Sequence, residues 1–427
     1  MKRLFIYLIL LFPCLVHSQK IDELTETEKI YGLSKIWSEV KANYVNFETL
    51  PFNWDELYLE YLDKIQETAN IYEYYKVLQK FCAKLNDGHS LVTFPEHIRQ
   101  LYDRSFPLRT ELIEDRVIIT EVYNDSLKNI GLKIGDEIIE IDGVNIHEYA
   151  EKNIKPYISA STEHNLKFRT YTYKLLKGHK DSTVKLTIKN QKNKVWTSNL
   201  SRSLERNLFK RKPNLDFRVT DDNIGVLTLN SFGYSDFYEK FDSIYPILKK
   251  TKGLVIDNRT NGGGSSAQGY HIISHLTDKP FYGTFWVSRQ DIPKINASSS
   301  SIGTNYFFQQ RKMYNPSKKE KYKNPVVLLI SNATFSAAED FTVIFKNLAL
   351  GKIIGQPTGG SSGQLIIFSL PGEGKIKICT ERNSFPDGTE FVGIGVQPDV
   401  FIKKDVIGFR ANRDVTMLKA LEVLFDK

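Results

Sequence analysis

Cysteine is scarce in this chain of 427 residues, which has only Cys14, Cys82 and Cys379. So few thiols build neither a disulfide framework nor a cysteine-ligated zinc cluster. A large apolar core must hold the fold instead. The hydrophobic share of 41% and the charged share of 25% are those of an ordinary globular protein able to bury one. Low-complexity tracts and internal repeats are missing. A basic stripe interleaved with aromatics is missing too. The net charge of +8 comes from Lys and Arg scattered among acids. That pattern gives no footprint for nucleic acid, and none is expected as a partner.

A bilayer-spanning run is also lacking. The apolar stretch from Leu4 to Val16 falls short of the roughly 20 residues that a span requires. It follows Lys2 and Arg3 and precedes Ser18, so residues 1–18 read as a secretory signal peptide cut near Ser18. Phe12 and Pro13 are a poor lipoprotein cleavage context, which leaves Cys14 in the discarded peptide. The expected location is periplasmic or extracellular, with no stable membrane span after cleavage.

Three patterns follow one another along the chain. From Asp22 to Leu85 apolar residues recur at three- and four-residue spacing, as in "NIYEYYKVLQKFCAKL", which predicts a helical module. "LNDGHS" closes it, with His89 at the corner. From Phe106 to Leu204 short strands take over, among them "RVIITEVY", "DEIIEIDG" and "STVKLTIKN". From Asp221 strands and helices alternate, which predicts an α/β layer architecture. The expected divisions are 19–100, 101–205 and 206–427.

Two features of the last segment bear on chemistry. "GLVIDNRTNGGGSS" joins a buried strand to a helix through Gly262, Gly263 and Gly264. Bare N–H groups in such a loop suit an anion, but the Lys-Ser or Lys-Thr of a phosphate loop is missing. "ISNATFSAAEDF" places Ser336 where a strand hands over to a helix. Ser336 reads either as an N-cap, with Glu339 completing a capping box, or as a nucleophile beside N–H groups able to hold an oxyanion.

"LNDGHS", "GLVIDNRTNGGG" and "NATFSAAED", followed by "GQPTGG" and "FPDGTEFVGIGVQPDV", together resemble the tail-specific (C-terminal processing) and tricorn-like serine peptidases. Between the first two motifs, "GLKIGDEIIEIDG" resembles a PDZ domain, in which "SFPLRT" (Ser105 to Thr110) would line a peptide groove. The resemblance implies an α/β, ClpP/crotonase-like peptidase core with a PDZ-like β-rich domain and an N-terminal helical module. It implies Ser336 as nucleophile, with the N–H groups of Gly263 and Ala337 as oxyanion hole.

Where the C-terminal processing branch carries a lysine base, this chain has Ser361, within "PTGGSSGQ". Lys346 and Lys352 do not match that position. The base is therefore expected to be His89, as in the tricorn-like branch. Tricorn-like members place a serine before that histidine, where this chain has Gly88 and carries Ser90 after it instead. Glu390 is the expected orienting acid, ahead of Asp87 and Glu339. His271 and His275 lie four apart, a metal-like spacing, but with no third ligand in view they are expected to be packing residues, so no metal or cofactor is implied. The reading is an exported serine endopeptidase acting on protein or peptide substrates, recognising C-terminal tails or unfolded segments through its PDZ-like domain. The alternative is a catalytically silent peptide- or ligand-binding protein. The oligomeric state is not legible.

Overall fold

The computed structural model describes residues 23–290, 305–308 and 312–425. The signal-peptide reading lies outside the described residues. Among these, no helix is long and apolar enough to cross a membrane.

The helical module consists of α1 (Glu26–Asn43), α2 (Trp54–Gln66) and α3 (Ile71–Ala83), followed by a short strand, β1 (Leu91–Thr93). Each helix starts where the sequence supplies a cap: Thr25 with Glu28 in a capping box, then Asn53 and Asn70. The apolar stripes meet in a core around Ile36, Tyr74, Leu78 and Phe81. This module does not stand alone, because its core also takes in Leu370, Ile376 and Ile378 from near the other end of the chain.

The β-rich region has β2 (Leu108–Ile113), β3 (Arg116–Val122) and β4 (Glu137–Ile141), then a helix α4 (Glu163–Phe168), then β5 (Thr183–Lys189) and β6 (Val195–Ser201). These strands form one antiparallel sheet in the order β2-β3-β4-β5-β6. Its core, around Val117, Ile138, Ile141 and Leu186, is separate. β2 lies at the sheet's edge, and the Thr110 hydroxyl donates to the Tyr171 carbonyl of the helical turn that continues α4.

The C-terminal region contains β7 (Leu215–Val219), β8 (Ile224–Leu229), α5 (Phe237–Leu248), β9 (Gly253–Asp257), α6 (Ser266–Leu276), β10 (Val326–Ile330), α7 (Ala337–Asn347), β11 (Lys352–Gly355), β12 (Leu365–Ser369), β13 (Lys375–Cys379), β14 (Val400–Phe401) and α8 (Val415–Phe425). Its main sheet runs β14-β11-β10-β9-β8-β7, parallel except for the β7–β8 pair. β8, β9 and β10 are buried almost throughout, as parallel strands covered on both faces must be. α5, α6 and α7 cover one face and α8 the other. A second, antiparallel sheet in the order β1-β13-β12 pairs Leu91 with Lys377. That pairing carries the His89 corner of the helical module onto the α/β region.

Candidate active site

Ser336 sits in the turn from β10 into α7. Its backbone is at φ 57°, ψ −129°, a conformation that favours glycine and that an L-residue adopts only under constraint. The constraint is visible. The Ser336 N–H reaches the Ser361 carbonyl at 3.1 Å and Glu339 Oε2 at 3.1 Å. The Phe335 N–H donates to the Asn261 carbonyl at 3.0 Å. Glu339 thus supplies the reach-back half of the expected capping box, while the Ser336 hydroxyl turns elsewhere.

It turns to His89. Ser336 Oγ lies 3.0 Å from His89 Nε2, and His89 Nδ1 lies 2.7 Å from Ser361 Oγ. The imidazole is buried and stacks on Phe335, with ring centroids 4.8 Å apart and planes at 15°. Burial pushes its pKa down to about 4; the Asp87 carboxylate opposes that drop and the Arg169 guanidinium adds to it. His89 is therefore neutral near pH 7, with one ring nitrogen carrying a lone pair.

The loop holding His89 is fixed from the β-rich region. Ser159 Oγ accepts the Asp87 N–H at 3.0 Å, and Ser161 Oγ accepts the Gly88 N–H at 2.9 Å. Arg169 donates to the Ser159 and Gly88 carbonyls, and its guanidinium lies over the Phe335 ring.

The loop carrying Ser361 is fixed by Glu339, whose side chain is fully buried. Its Oε1 accepts from the Thr358 hydroxyl at 2.6 Å and the Gly360 N–H at 2.7 Å; its Oε2 accepts from the Ser361 N–H at 3.0 Å. With the Ser336 N–H, four donors converge on one carboxylate. Burial raises this carboxyl's pKa and the four donors oppose the rise; since every contact is a donor, the ionised form is the one this geometry binds.

The structure does not bring every candidate to the imidazole. Glu390 is not at this site: its side chain is 53% exposed and pairs with Arg382 at 3.3 Å. No contact joins it to Ser336, His89 or Ser361 among the described residues. The loop it belongs to bridges back to Ser384, and Glu390 lines a cavity that Asp87 also lines without touching the imidazole. Ser90 does not face the imidazole either; its hydroxyl donates to Asp87 Oδ2 and accepts the Cys379 N–H. Gly263 does stand against Ser336. A side chain there would meet Ser336 Cβ at 2.8 Å and the Ala337 nitrogen at 3.0 Å. Its N–H, however, is donated to Asn261 Oδ1 at 2.9 Å rather than left open. The Ala337 N–H has no acceptor among the described residues.

Reading along the chain missed Ser361 as the partner of His89. The signal was present, because Ser361 stands where the C-terminal processing branch has its lysine. Along the chain that substitution reads as the loss of a base; in the fold it is the gain of a hydrogen-bond acceptor for His89 Nδ1. Gly88 completes that account: a side chain at 88 would lie 2.9 Å from Ser361 Oγ and 2.9 Å from Phe335. The space a serine before His89 would need is filled by the Ser361 hydroxyl. The nearest lysines of the sequence are elsewhere, Lys346 donating to the Gln397 carbonyl and Lys352 exposed at the start of β11.

Residues 223–402 match peptidase family S41, and residues 102–210 match the PDZ domain. A carboxyl-terminal-processing protease of Picosynechococcus sp. is 23% identical over 407 residues, which cover 92% of this chain and 88% of that protein. The carboxy-terminal processing protease CtpA of Bacillus subtilis is 21% identical over 285 residues, or 66% of this chain and 52% of its own length. Among solved structures, mature CPAF complexed with lactacystin superposes with a TM-score of 0.72 at 15% identity, covering 93% of this chain and 98% of that one. The photosystem II D1 C-terminal processing protease gives 0.53 at 20%, covering 89% and 94%. The two structures share the fold of this chain, and the sequence matches fall on its two recognisable domains. The α/β core bearing Ser336 thus coincides with a peptidase family S41 domain at residues 223–402, and the β-rich domain ahead of it with a PDZ domain at residues 102–210.

Proposed function

We propose that the chain is a serine endopeptidase working through Ser336, His89 and Ser361 rather than through a serine–lysine dyad. The observation that carries this reading is the continuous hydrogen-bonded line Ser336 Oγ–His89–Ser361 Oγ, at 3.0 and 2.7 Å. For Nε2 to accept the Ser336 proton, Nδ1 must carry the other hydrogen and donate it to Ser361 Oγ. Ser361 thereby fixes the tautomer and the ring plane.

The steps then follow. Ser336 Oγ attacks the scissile carbonyl carbon as its proton passes to Nε2. The carbonyl oxygen takes up the electron pair and faces the open Ala337 N–H at the start of α7, where the helix dipole favours negative charge. A second donor at Gly263 requires that Asn261 release its N–H. As the tetrahedral adduct collapses, Nε2 gives its proton to the leaving amine. Water then attacks the acyl-enzyme with His89 again as base. Glu339 holds the backbone of both serines and takes no proton in this sequence.

The test is labelling of the pure protein by a fluorophosphonate probe, with Ser336→Ala as control. Labelling of the wild type alone supports the reading. A wild-type protein that folds, fails to label and cleaves no unfolded substrate would leave a binding protein on the same scaffold. His89→Ala should abolish cleavage and Lys352→Ala should not.

Two further parts of the proposal rest on the sequence. Export follows from residues 1–18, and mass spectrometry should find a mature N-terminus near Gln19. Tail recognition follows from the PDZ domain, whose edge strand β2 is positioned for strand addition beside the α4 segment. Free-acid peptides should then be cleaved with higher kcat/KM than their amidated counterparts, and equal values would remove tail reading from the proposal.

A further inference from the structure

Helices α5 and α6 lie side by side on the face of the main sheet. Asp242 projects from α5; His271 and His275 project from successive turns of α6. One ligand atom from each lies within 4.8 Å of the other two. His271 Nε2 is 3.2 Å from Asp242 Oδ1, and His275 Nε2 is 4.0 Å from the same oxygen. This is the third ligand that reading along the chain could not supply, since it comes from 29 positions before His271.

His275 is the informative residue. Its side chain is only 1% exposed. Its Nδ1 lies 2.8 Å from the His271 carbonyl, which can only accept, so Nδ1 carries the hydrogen. Nε2 is left with a lone pair, buried and without a hydrogen-bond partner. It points at the Asp242 carboxylate, itself an acceptor. The Asp242 carboxylate is partly exposed and has other partners, but the buried His275 lone pair facing it stays unsatisfied unless a cation stands between them. An Nδ1–H tied to a backbone carbonyl is also how metal-binding imidazoles are commonly oriented.

We propose that Asp242, His271 and His275 form a binding site for a first-row transition dication of the zinc class, distinct from the peptidase site. Two imidazole nitrogens and one carboxylate oxygen are a zinc-type donor set, and Mg2+ or Ca2+ would find too few oxygens. Bonds of about 2.0–2.1 Å in tetrahedral geometry set ligand atoms roughly 3.3 Å apart. The Asp242–His271 distance already fits, His275 must approach Asp242 by less than an ångström, and the two imidazole nitrogens, at most 4.8 Å apart, must close by up to about 1.5 Å, within reach of a small rotation of the partly exposed His271. His271 and Asp242 are 25% and 39% exposed, so solvent can provide the fourth ligand. Around the imidazoles stand Tyr238, Phe241 and Tyr245, which restrict their rotation. Lys319 holds Asp242 Oδ2 at 2.9 Å, leaving Oδ1 for the metal; being 48% exposed, its ammonium can swing away. The bound ion crosslinks α5 to α6, the helix that follows the glycine loop beside Ser336.

The experiment uses the full chain, stripped with EDTA and dialysed, titrated calorimetrically with ZnCl2 and separately with MgCl2. The expected result is one Zn2+ per chain, a rise in Tm with Zn2+ and none with Mg2+. The partly exposed variants Asp242→Asn and His271→Gln should fold normally and weaken Zn2+ binding by about 100-fold, the share of one ligand in a small zinc site. Co2+ should give a visible d–d spectrum that both variants lose. Absence of stoichiometric Zn2+ binding, or binding unchanged in both variants, overturns the proposal. Neither readout depends on peptidase activity, so this result and that of the fluorophosphonate test are independent.

Discussion

Replacing Ser361 by alanine isolates the contribution of one hydroxyl. The backbone of residue 361 keeps its roles, its N–H still bonding Glu339 and its carbonyl still receiving the Ser336 N–H. Only the 2.7 Å contact to His89 Nδ1 is lost. Ser361 is 1% exposed, so water does not replace the hydroxyl easily. A buried N–H left without an acceptor costs about 1–3 kcal/mol, more where the ring becomes cationic. Since about 1.4 kcal/mol is a factor of ten in rate, kcat should fall roughly 5- to 150-fold. KM should change little, because Ser361 lies behind the imidazole from the nucleophile. The acid limb of kcat/KM should also move to lower pH, since the imidazolium loses the acceptor that stabilises it. The assay is steady-state cleavage of a quenched unfolded substrate between pH 4 and 8, with Tm measured alongside. A Ser361→Ala enzyme within twofold of wild type, while His89→Ala is dead, would refute the claim that Ser361 orients the base.

The strained backbone at Ser336 predicts a trade of stability for reactivity: Ser336→Gly, free to adopt φ 57°, should be more stable than Ser336→Ala by about 1–3 kcal/mol in urea unfolding, both being inactive. For His89 the folded pKa of about 4 lies below the model-compound value of 6.5. The unfolded chain therefore binds its proton first on acidification, and the contribution of His89 to stability falls as pH drops from 6.5 toward 4. Activity should correspondingly persist well below pH 6.5, and an acid limb at 6.5 or above would contradict the buried neutral imidazole. Glu339→Gln turns one of the two acceptor oxygens toward donors as an NH2 group; a loss of more than about 2 kcal/mol in denaturant unfolding is expected, together with loss of fluorophosphonate labelling, and full labelling would show that the Ser361 loop does not depend on this carboxylate.

Much of the fold was legible because local chemistry and burial agree. The helical module announces itself through periodicity and caps at Thr25, Asn53 and Asn70. The parallel strands β8, β9 and β10 are continuous apolar runs that a doubly covered sheet requires. What was not legible depends on pairing between distant segments. Nothing near Leu91 says that it will pair with Lys377, yet that pairing is what brings the His89 corner to residues 336 and 361. Along the chain Glu339 has a satisfying local explanation as a capping acid, which leaves Glu390 as the favoured orienting acid. A residue can complete a cap and organise a second loop at once, and only the tertiary contacts reveal the second task. The same blindness hid Asp242 from His271 and His275, since a helix shows its own spacing but not its neighbour's.

Glu339 also explains why the Ser336–His89–Ser361 line can be precise without a charged group in it. One carboxylate oxygen, Oε2, takes the N–H of both serines, at 3.1 and 3.0 Å. The Ser336 N–H also reaches the Ser361 carbonyl. The two hydroxyls that face opposite nitrogens of one imidazole are therefore fixed to a common anchor behind it. The strain at Ser336 persists because releasing it would require that N–H to leave two acceptors together. In an arrangement closed in this way, a carboxylate beside the imidazole is not needed to hold the ring, and Glu339 does its work through the backbone. The distinction has a chemical consequence. Burial keeps the His89 pKa low, and a hydroxyl at Nδ1 offsets that less than a carboxylate would. On the proposed mechanism, transition-state stabilisation then rests more on the two oxyanion donors, Ala337 at the start of α7 and Gly263 in the glycine loop before α6. In this chain one of those donors, the Gly263 N–H, is still held by Asn261. On the proposed mechanism, use of the Gly263 N–H requires that it leave Asn261 Oδ1, a change separate from the Ser336–His89–Ser361 contacts.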